Sequence, residues 1–238
     1  MLITSYSQLQ NADLLSGITL LIDKPLTWTS FDVVNKLKFT IKSELGIKKI
    51  KIGHAGTLDP LAKGLLIVAI GKDTKLINEY QELTKEYSGA FYIGATTISH
   101  DSEFEPDMIF PIDHIDSDLI NSARKELTGE IFQSPPIFSA LKVNGQRSYK
   151  MARKGQEVVL EKRKVTIYNF EIPKFTLPEV FFKVKCSKGT YIRSLAYDFG
   201  KKLNSGAYLK SLNRDAIGSF KNSEAFNFFE LIDFFKKN

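Results

Sequence analysis

The chain has 238 residues, 43% of them hydrophobic, enough to bury a substantial core and too apolar for a disordered chain. No apolar run approaches the ~20 residues of a membrane helix, and the N-terminus has neither the basic start nor the apolar stretch of a secretory signal, which points to the cytoplasm. A net charge of +6 and a pI near 9.1 suit a polyanionic partner; one cysteine, Cys186, and three scattered histidines, His54, His100 and His114, exclude a disulfide framework and a thiolate zinc site and argue against a metal enzyme.

In chain order, "GITLLIDKP" (17–25) reads as a buried strand stopped by Pro25. A helix follows, capped by Thr29 or Ser30, with Phe31, Val34, Leu37 and Ile41 at helical spacing and Lys38 as the polar exception. "GLLIVAIG" (64–71) has the length and bounding glycines of a central strand, and "YSGAFYIGATT" (87–97) alternates as a strand does. "DSDLINSARKELTGEI" (116–131) is an amphipathic helix with Leu119, Ile120, Ala123 and Leu127 inward and Gly129 at its stop.

Asn144-Gly145 signals a hairpin, followed by a short basic helix. Residues 163–172 and 179–187 are strand-like, and 191–203 is a helix after a Gly-Thr turn. The last residues, 222–238, read as one phenylalanine-rich helix. There is no repeat and no obvious linker, so residues 1–238 are expected to form one domain of the α+β class, with a mixed, largely antiparallel sheet.

Asp59, in "GHAGTLDP" (53–60), is the residue to explain. Aspartate before proline is the pattern of a helix N-cap, but too few residues separate Pro60 from the apolar run for a helix to form. A carboxylate on a short loop before a central strand is instead a reasonable catalytic position. Taken singly, His54, Tyr87 in "KEYSGAF" and Arg193 in "KGTYIRSL" each have a structural explanation. Their joint spacing carries the weight.

"GHAGTLDPLAKGLLIVAIGKDTK", "KEYSGAFYIGATT", "SALKVNGQRSY" and "CSKGTYIRSLAYDFGKKL" occur in that order, with "DKP" at 23–25 and "YLKSLNRDAIG" at 208–218. Together they closely resemble the TruB family of bacterial tRNA pseudouridine-55 synthases, from about Gly17 to Gly218. The resemblance implies a pseudouridine synthase fold, its sheet flanked by helices and RNA-binding loops, that isomerises one uridine in the T-loop of tRNA. It makes Asp59 the catalytic aspartate, His54 the histidine that contacts the opened loop, and Tyr87 the tyrosine stacked on the target base. Tyr191, Arg193 and Leu212 match residues that line the pocket. Two departures stand out. The chain lacks the extra C-terminal RNA-binding (PUA) domain of many members, and Ile98 stands where many have an acid, with Asp101 three residues on.

The chemistry explains the residue types. Isomerising uridine breaks the bond from N1 to the ribose C1′, turns the base and rejoins it through C5. Nothing is oxidised and no group is imported, so no cofactor and no metal is expected. An anion is needed, and Asp59 could attack C1′ or C6 or remove a proton from C2′. Arg193 is the natural ion-pair partner that keeps it charged. Extruding the base costs a few kcal/mol, which stacking on Tyr87 offsets in part, and the Tyr87 hydroxyl could take the C5 proton. Lys48, Lys49 and Lys51 precede the catalytic loop. The arm 142–156 carries Lys142, Arg147, Lys150, Arg153 and Lys154 with Tyr149, fit to hold the tRNA T-arm by phosphate contacts. A non-catalytic RNA-binding or tRNA-folding helper and a guide-RNA-dependent synthase are the competing readings; no membrane and no obligate protein partner is implied.

Overall fold

A computed structural model of the chain describes residues 1–139, 141–143, 145–154, 156 and 160–237; for 142, 143, 147, 149 and 150 the description stops at the backbone. The chain divides into two compact units, Met1–Tyr87 with Asn213–Asn238, and Ser88–Leu212. It passes from the first to the second within the strand Lys85–Ile93 and returns within the strand Ala207–Ile217.

In the first unit, Ile18–Lys24 pairs antiparallel with Ala62–Ile70, which also pairs antiparallel with Ile52–His54. Leu2–Ile3 and Phe226–Asn227 add parallel pairs to Ile18–Lys24, so the sheet is mixed and largely antiparallel, as expected. The continuous apolar run "GLLIVAI" follows from burial on both faces. Leu66, Val68 and Ile70 join Leu20, Ile22, Leu37 and Phe228 on one face, and Leu65 and Ile67 join Leu21, Ala55 and Ile217 on the other.

The helix Ser30–Glu44 starts on a capping box in which Thr29 accepts from the Asp32 backbone N–H and the Asp32 carboxylate accepts from that of Thr29. Its buried stripe is Ser30, Val33, Val34, Leu37, Thr40 and Ile41. Phe31, expected inward, is 65% exposed, because it sits a full residue's rotation from that stripe. The terminal helix spans Phe228–Lys237 only; residues before it form the 3₁₀ turn Asn222–Glu224 and the strand Phe226–Asn227. Phe226, Phe228 and Phe235 are buried in the core while Phe229 is exposed.

In the second unit, Glu179–Cys186 pairs antiparallel with Arg163–Thr176, and that with Gly129–Gln133. Val180, Phe182, Val184 and Cys186 are buried at every second position, the pattern of a sheet covered on one face. Phe91, Phe170, Phe182 and Phe199 form the aromatic centre of this core, Phe91 stacked on Phe182 at 4.2 Å between ring centroids. The helix Ser117–Glu126 is shorter than expected. Its C-cap is Leu127, and Gly129, at φ +97°, opens the next strand instead of closing the helix. Ile120, Ala123 and Leu127 are buried and Leu119 only half so.

The segments flanking the expected turn, Lys142–Val143 and Gln146–Arg147, pair antiparallel, with Val143 opposite Gln146 and Lys142 opposite Arg147. Asn144 itself lies outside the described residues. A short helix, Ser148–Ala152, follows. The base of the arm is fixed where the buried Ser148 donates to the Ser139 carbonyl at 2.8 Å and its N–H donates to Leu141 at 2.7 Å.

Candidate active site

Asp59 lies half-buried on the loop between Ile52–His54 and Ala62–Ile70. It caps no helix: the Ala62 N–H donates to the Asp59 carbonyl at 3.0 Å, closing a tight turn in which Pro60 occupies the position where its fixed φ is favoured. Three further anchors hold the loop. The buried Ser30 hydroxyl accepts from the Leu58 N–H at 2.8 Å. Thr27 donates its N–H to the Pro60 carbonyl at 2.8 Å, and does so from φ 69°, a conformation that costs a β-branched residue free energy. Arg214 Nη2 donates to the Gly56 carbonyl at 3.1 Å.

Two buried cations stand in this neighbourhood, and sequence reasoning singled out neither. Arg214 is 1% exposed, with Nε donating to the Leu65 carbonyl at 2.7 Å. Its backbone comes so close to Gly64 that a Cβ there would lie 2.5 Å from the Arg214 carbonyl oxygen, so only glycine fits. Lys24 is fully buried, donating to the Pro25 and Trp28 carbonyls at 2.9 and 2.6 Å. Its pKa is lowered to about 8, by burial first; the attraction of the Asp59 carboxylate opposes the shift and the charge of Arg214 adds to it.

His54 ends its strand opposite Val68. Burial, then the Arg214 charge, lowers its pKa against the opposing effect of a backbone hydrogen bond with Gly56, so the ring is neutral at pH 7. Tyr87 is buried in the strand Lys85–Ile93. The first unit thus carries Asp59, His54 and Tyr87 together with Lys24 and Arg214.

The second unit carries Tyr191, Arg193 and Leu212. Tyr191 is the N-cap of the helix Ile192–Lys202, its N–H donating to Gln133 Oε1 at 2.8 Å; Leu212 is half-buried in its strand. Arg193, 5% exposed, places a cation in the first helical turn, where the macrodipole disfavours it. The compensation is on the 99–103 turn. Arg193 Nη1 lies 3.5 Å from Asp101 Oδ2, and Nη2 donates to the Phe138 carbonyl at 2.9 Å. Asp101 is in turn held by the Ser99 hydroxyl at 2.5 Å and the Glu103 N–H at 3.0 Å. Ile98 is 44% exposed, whereas Asp101, three residues on, is buried beside the arginine.

Of the basic arm, Arg153 pairs with Glu103 at 2.8 Å and Lys154 is exposed. The side chains of Lys142, Arg147 and Lys150 lie outside the described residues. Among the described residues no group of His, Cys, Asp or Glu is gathered to hold a metal ion, and no helix is long and apolar enough to cross a membrane.

His100, beside Arg193, stacks on Tyr197 at 4.2 Å between centroids and has its pKa lowered to about 4, by burial first and then by Arg193. Between pH 6.5 and 4 the unfolded chain takes up this proton and the folded chain does not, so stability is lost as pH falls through that window. His100→Asn keeps a residue tolerant of φ 62°. A thermal melt series should show a flatter fall in Tm from pH 6.5 to 4 than wild type; an unchanged slope would contradict the buried, neutral assignment.

Residues 42–192, more than half of the chain, match the family described as TruB family pseudouridylate synthase (N terminal domain). The chain belongs to the TruB family. It is 56% identical over 219 residues to a protein of Flavobacterium johnsoniae called tRNA pseudouridine synthase B, covering 91% of this chain and 96% of that one. It is 47% identical over 226 residues to a protein of the same description from Parabacteroides distasonis, covering 95% of this chain and 96% of that one. Among solved structures, a chain of a Cbf5-Nop10-Gar1 complex superposes with a TM-score of 0.69 at 30% identity, over 92% of this chain and 54% of that chain.

Proposed function

We propose that this chain converts the uridine at position 55, in the T-loop of tRNA, to pseudouridine, with Asp59 as the catalytic carboxylate. The observation that carries the reading is the Asp59 loop itself: a half-buried aspartate on a loop whose backbone is fixed by Ser30, Thr27 and Arg214, with its carboxylate in the field of the buried Lys24. The relatives at 47–56% identity, each covered over nearly its whole length, support tRNA as substrate.

In the reaction the N1–C1′ bond breaks, the uracil turns, and C5 bonds to C1′. The proton on C5 leaves and N1 ends protonated, so atoms and electrons balance within the substrate and water. No metal, cofactor or protein partner is needed, and the cytoplasm supplies the tRNA. Attack at C1′, attack at C6 and proton removal at C2′ all require the ionised carboxylate. His54, its ring neutral, contacts the opened loop of the RNA. Tyr87 stacks on the extruded base, Tyr191 and Leu212 keep water from the reacting centre, and Arg193 supplies the cation that keeps Asp59 charged. Lys142, Arg147, Lys150, Arg153 and Lys154 hold the phosphates of the T-arm.

Arg193→Lys tests the role of the guanidinium. A lysine keeps the charge but cannot serve Asp101 and the Phe138 and Ser99 carbonyls at once. The chemical step should slow, and the acidic limb of the pH–rate profile should move upward; kinetics equal to wild type at every pH would refute the role. The reading as a whole is tested by mapping pseudouridine in tRNA from cells with and without the gene. Loss at position 55 is the expected result, and retention there would refute it.

A further inference from the structure

Seven lysines gather in the first unit away from Asp59. Lys38 and Lys42 come from the helix Ser30–Glu44, Lys48, Lys49 and Lys51 from the segment after it, and Lys72 and Lys75 from the 3₁₀ turn Gly71–Leu76. They line one cleft of about 570 Å³ together with Leu15, Ile50, Gly71 and Thr74. All seven are exposed, no acidic side chain lines the cleft, and among the described residues none of the seven forms an ion pair. The acid within the 3₁₀ turn, Asp73, is turned elsewhere: its Oδ2 accepts from the Met1 amine at 2.7 Å and from the Thr19 hydroxyl at 3.0 Å. The seven charges exceed the chain's whole net charge of +6.

The placement separates this cleft from the chemistry. Gly71 follows the last residue of Ala62–Ile70, and Asp59 precedes the first, so roughly 25 Å of extended strand lies between them. The Gly71 N–H donates to the Lys51 carbonyl at 2.8 Å, and Lys51 leads into the strand that ends at His54. The lining has no arginine fork and no aromatic ring, so it offers neither bidentate base recognition nor a stacking platform. What it offers is a dense set of point charges, suited to a row of phosphates and indifferent to sequence.

We infer that this cleft is a second RNA-contact surface, gripping the phosphate backbone of a helical stem of the substrate outside the target loop. The inference rests on the tRNA reading above. The test is the triple variant Lys48→Ala, Lys49→Ala, Lys72→Ala, with its melting temperature checked against wild type. Affinity for a tRNA transcript is measured across salt, and pseudouridine formation is measured alongside. Losing three phosphate contacts should lower the slope of log K against log salt by about 2–3, so wild type should lose about 40-fold more affinity than the variant between about 50 and 200 mM salt. An unchanged slope overturns the inference. So does a variant that loses binding of inorganic tripolyphosphate while its tRNA slope stays at the wild-type value, which would make the cleft a small-anion site. A changed slope with a wild-type protein that forms no pseudouridine supports the cleft and refutes the proposed reaction.

Discussion

Asp59→Asn is expected to abolish pseudouridine formation, by at least about 10⁴-fold in single turnover, while fold and tRNA affinity stay near wild type. The amide has the shape of the carboxylate and leaves the turn intact, because the turn is closed by the Asp59 backbone carbonyl and not by its side chain. What is lost is the negative charge that any of the three routes needs. Lys24 provides an independent readout. With the carboxylate gone, the first of the three attractions that raise its pKa disappears, leaving those of Asp23 and Asp32, so that pKa should fall below about 8. Substantial turnover by the mutant would remove Asp59 from the chemistry. A fall in Tm with activity preserved would reduce it to a turn residue.

Tyr87→Phe should bind tRNA as wild type does, since the ring that stacks on the base remains. If its hydroxyl takes the C5 proton, turnover should drop by about 10²–10⁴-fold, the usual range for a positioned general base. Because Tyr87 is buried in a strand, the melting temperature must be read alongside. A stable mutant with single-turnover rates within a fewfold of wild type would leave Tyr87 as a stacking surface alone.

The sequence made Asp59 readable because its signal is local: the glycines, the proline and the apolar run that follows leave room for a turn and not for a helix. The strand pattern was readable for the same reason, with unbroken apolar runs where both faces are covered and alternation where one is. Lys24 and Arg214 were not. Each sits at or near the end of a strand beside an aspartate, where a cation ordinarily faces water, and only long-range contacts bury it. The Trp28 carbonyl returns over Lys24, and the Leu65 and Gly56 carbonyls close on Arg214. Asp101 was visible as an acid displaced from the expected position, but its pairing with Arg193 depends on how the 99–103 turn meets a helix far along the chain. The start of the last helix had a signal that went unused: Asn227 Oδ1 accepts from the Phe229 and Glu230 N–H groups at 3.0 and 3.3 Å, the work of an asparagine N-cap, and it sits in "FNFFE" where the phenylalanines suggested continuous helix.

The central claim is that this protein, alone, isomerises one T-loop uridine through Asp59. Its most direct test is to incubate purified wild type and Asp59→Asn with an unmodified tRNA transcript, without added metal, cofactor or other protein, and to map pseudouridine at nucleotide resolution. The account predicts near-complete conversion at position 55 by wild type and none by the mutant. Conversion at another position, conversion by the mutant, or none by the wild type would contradict it.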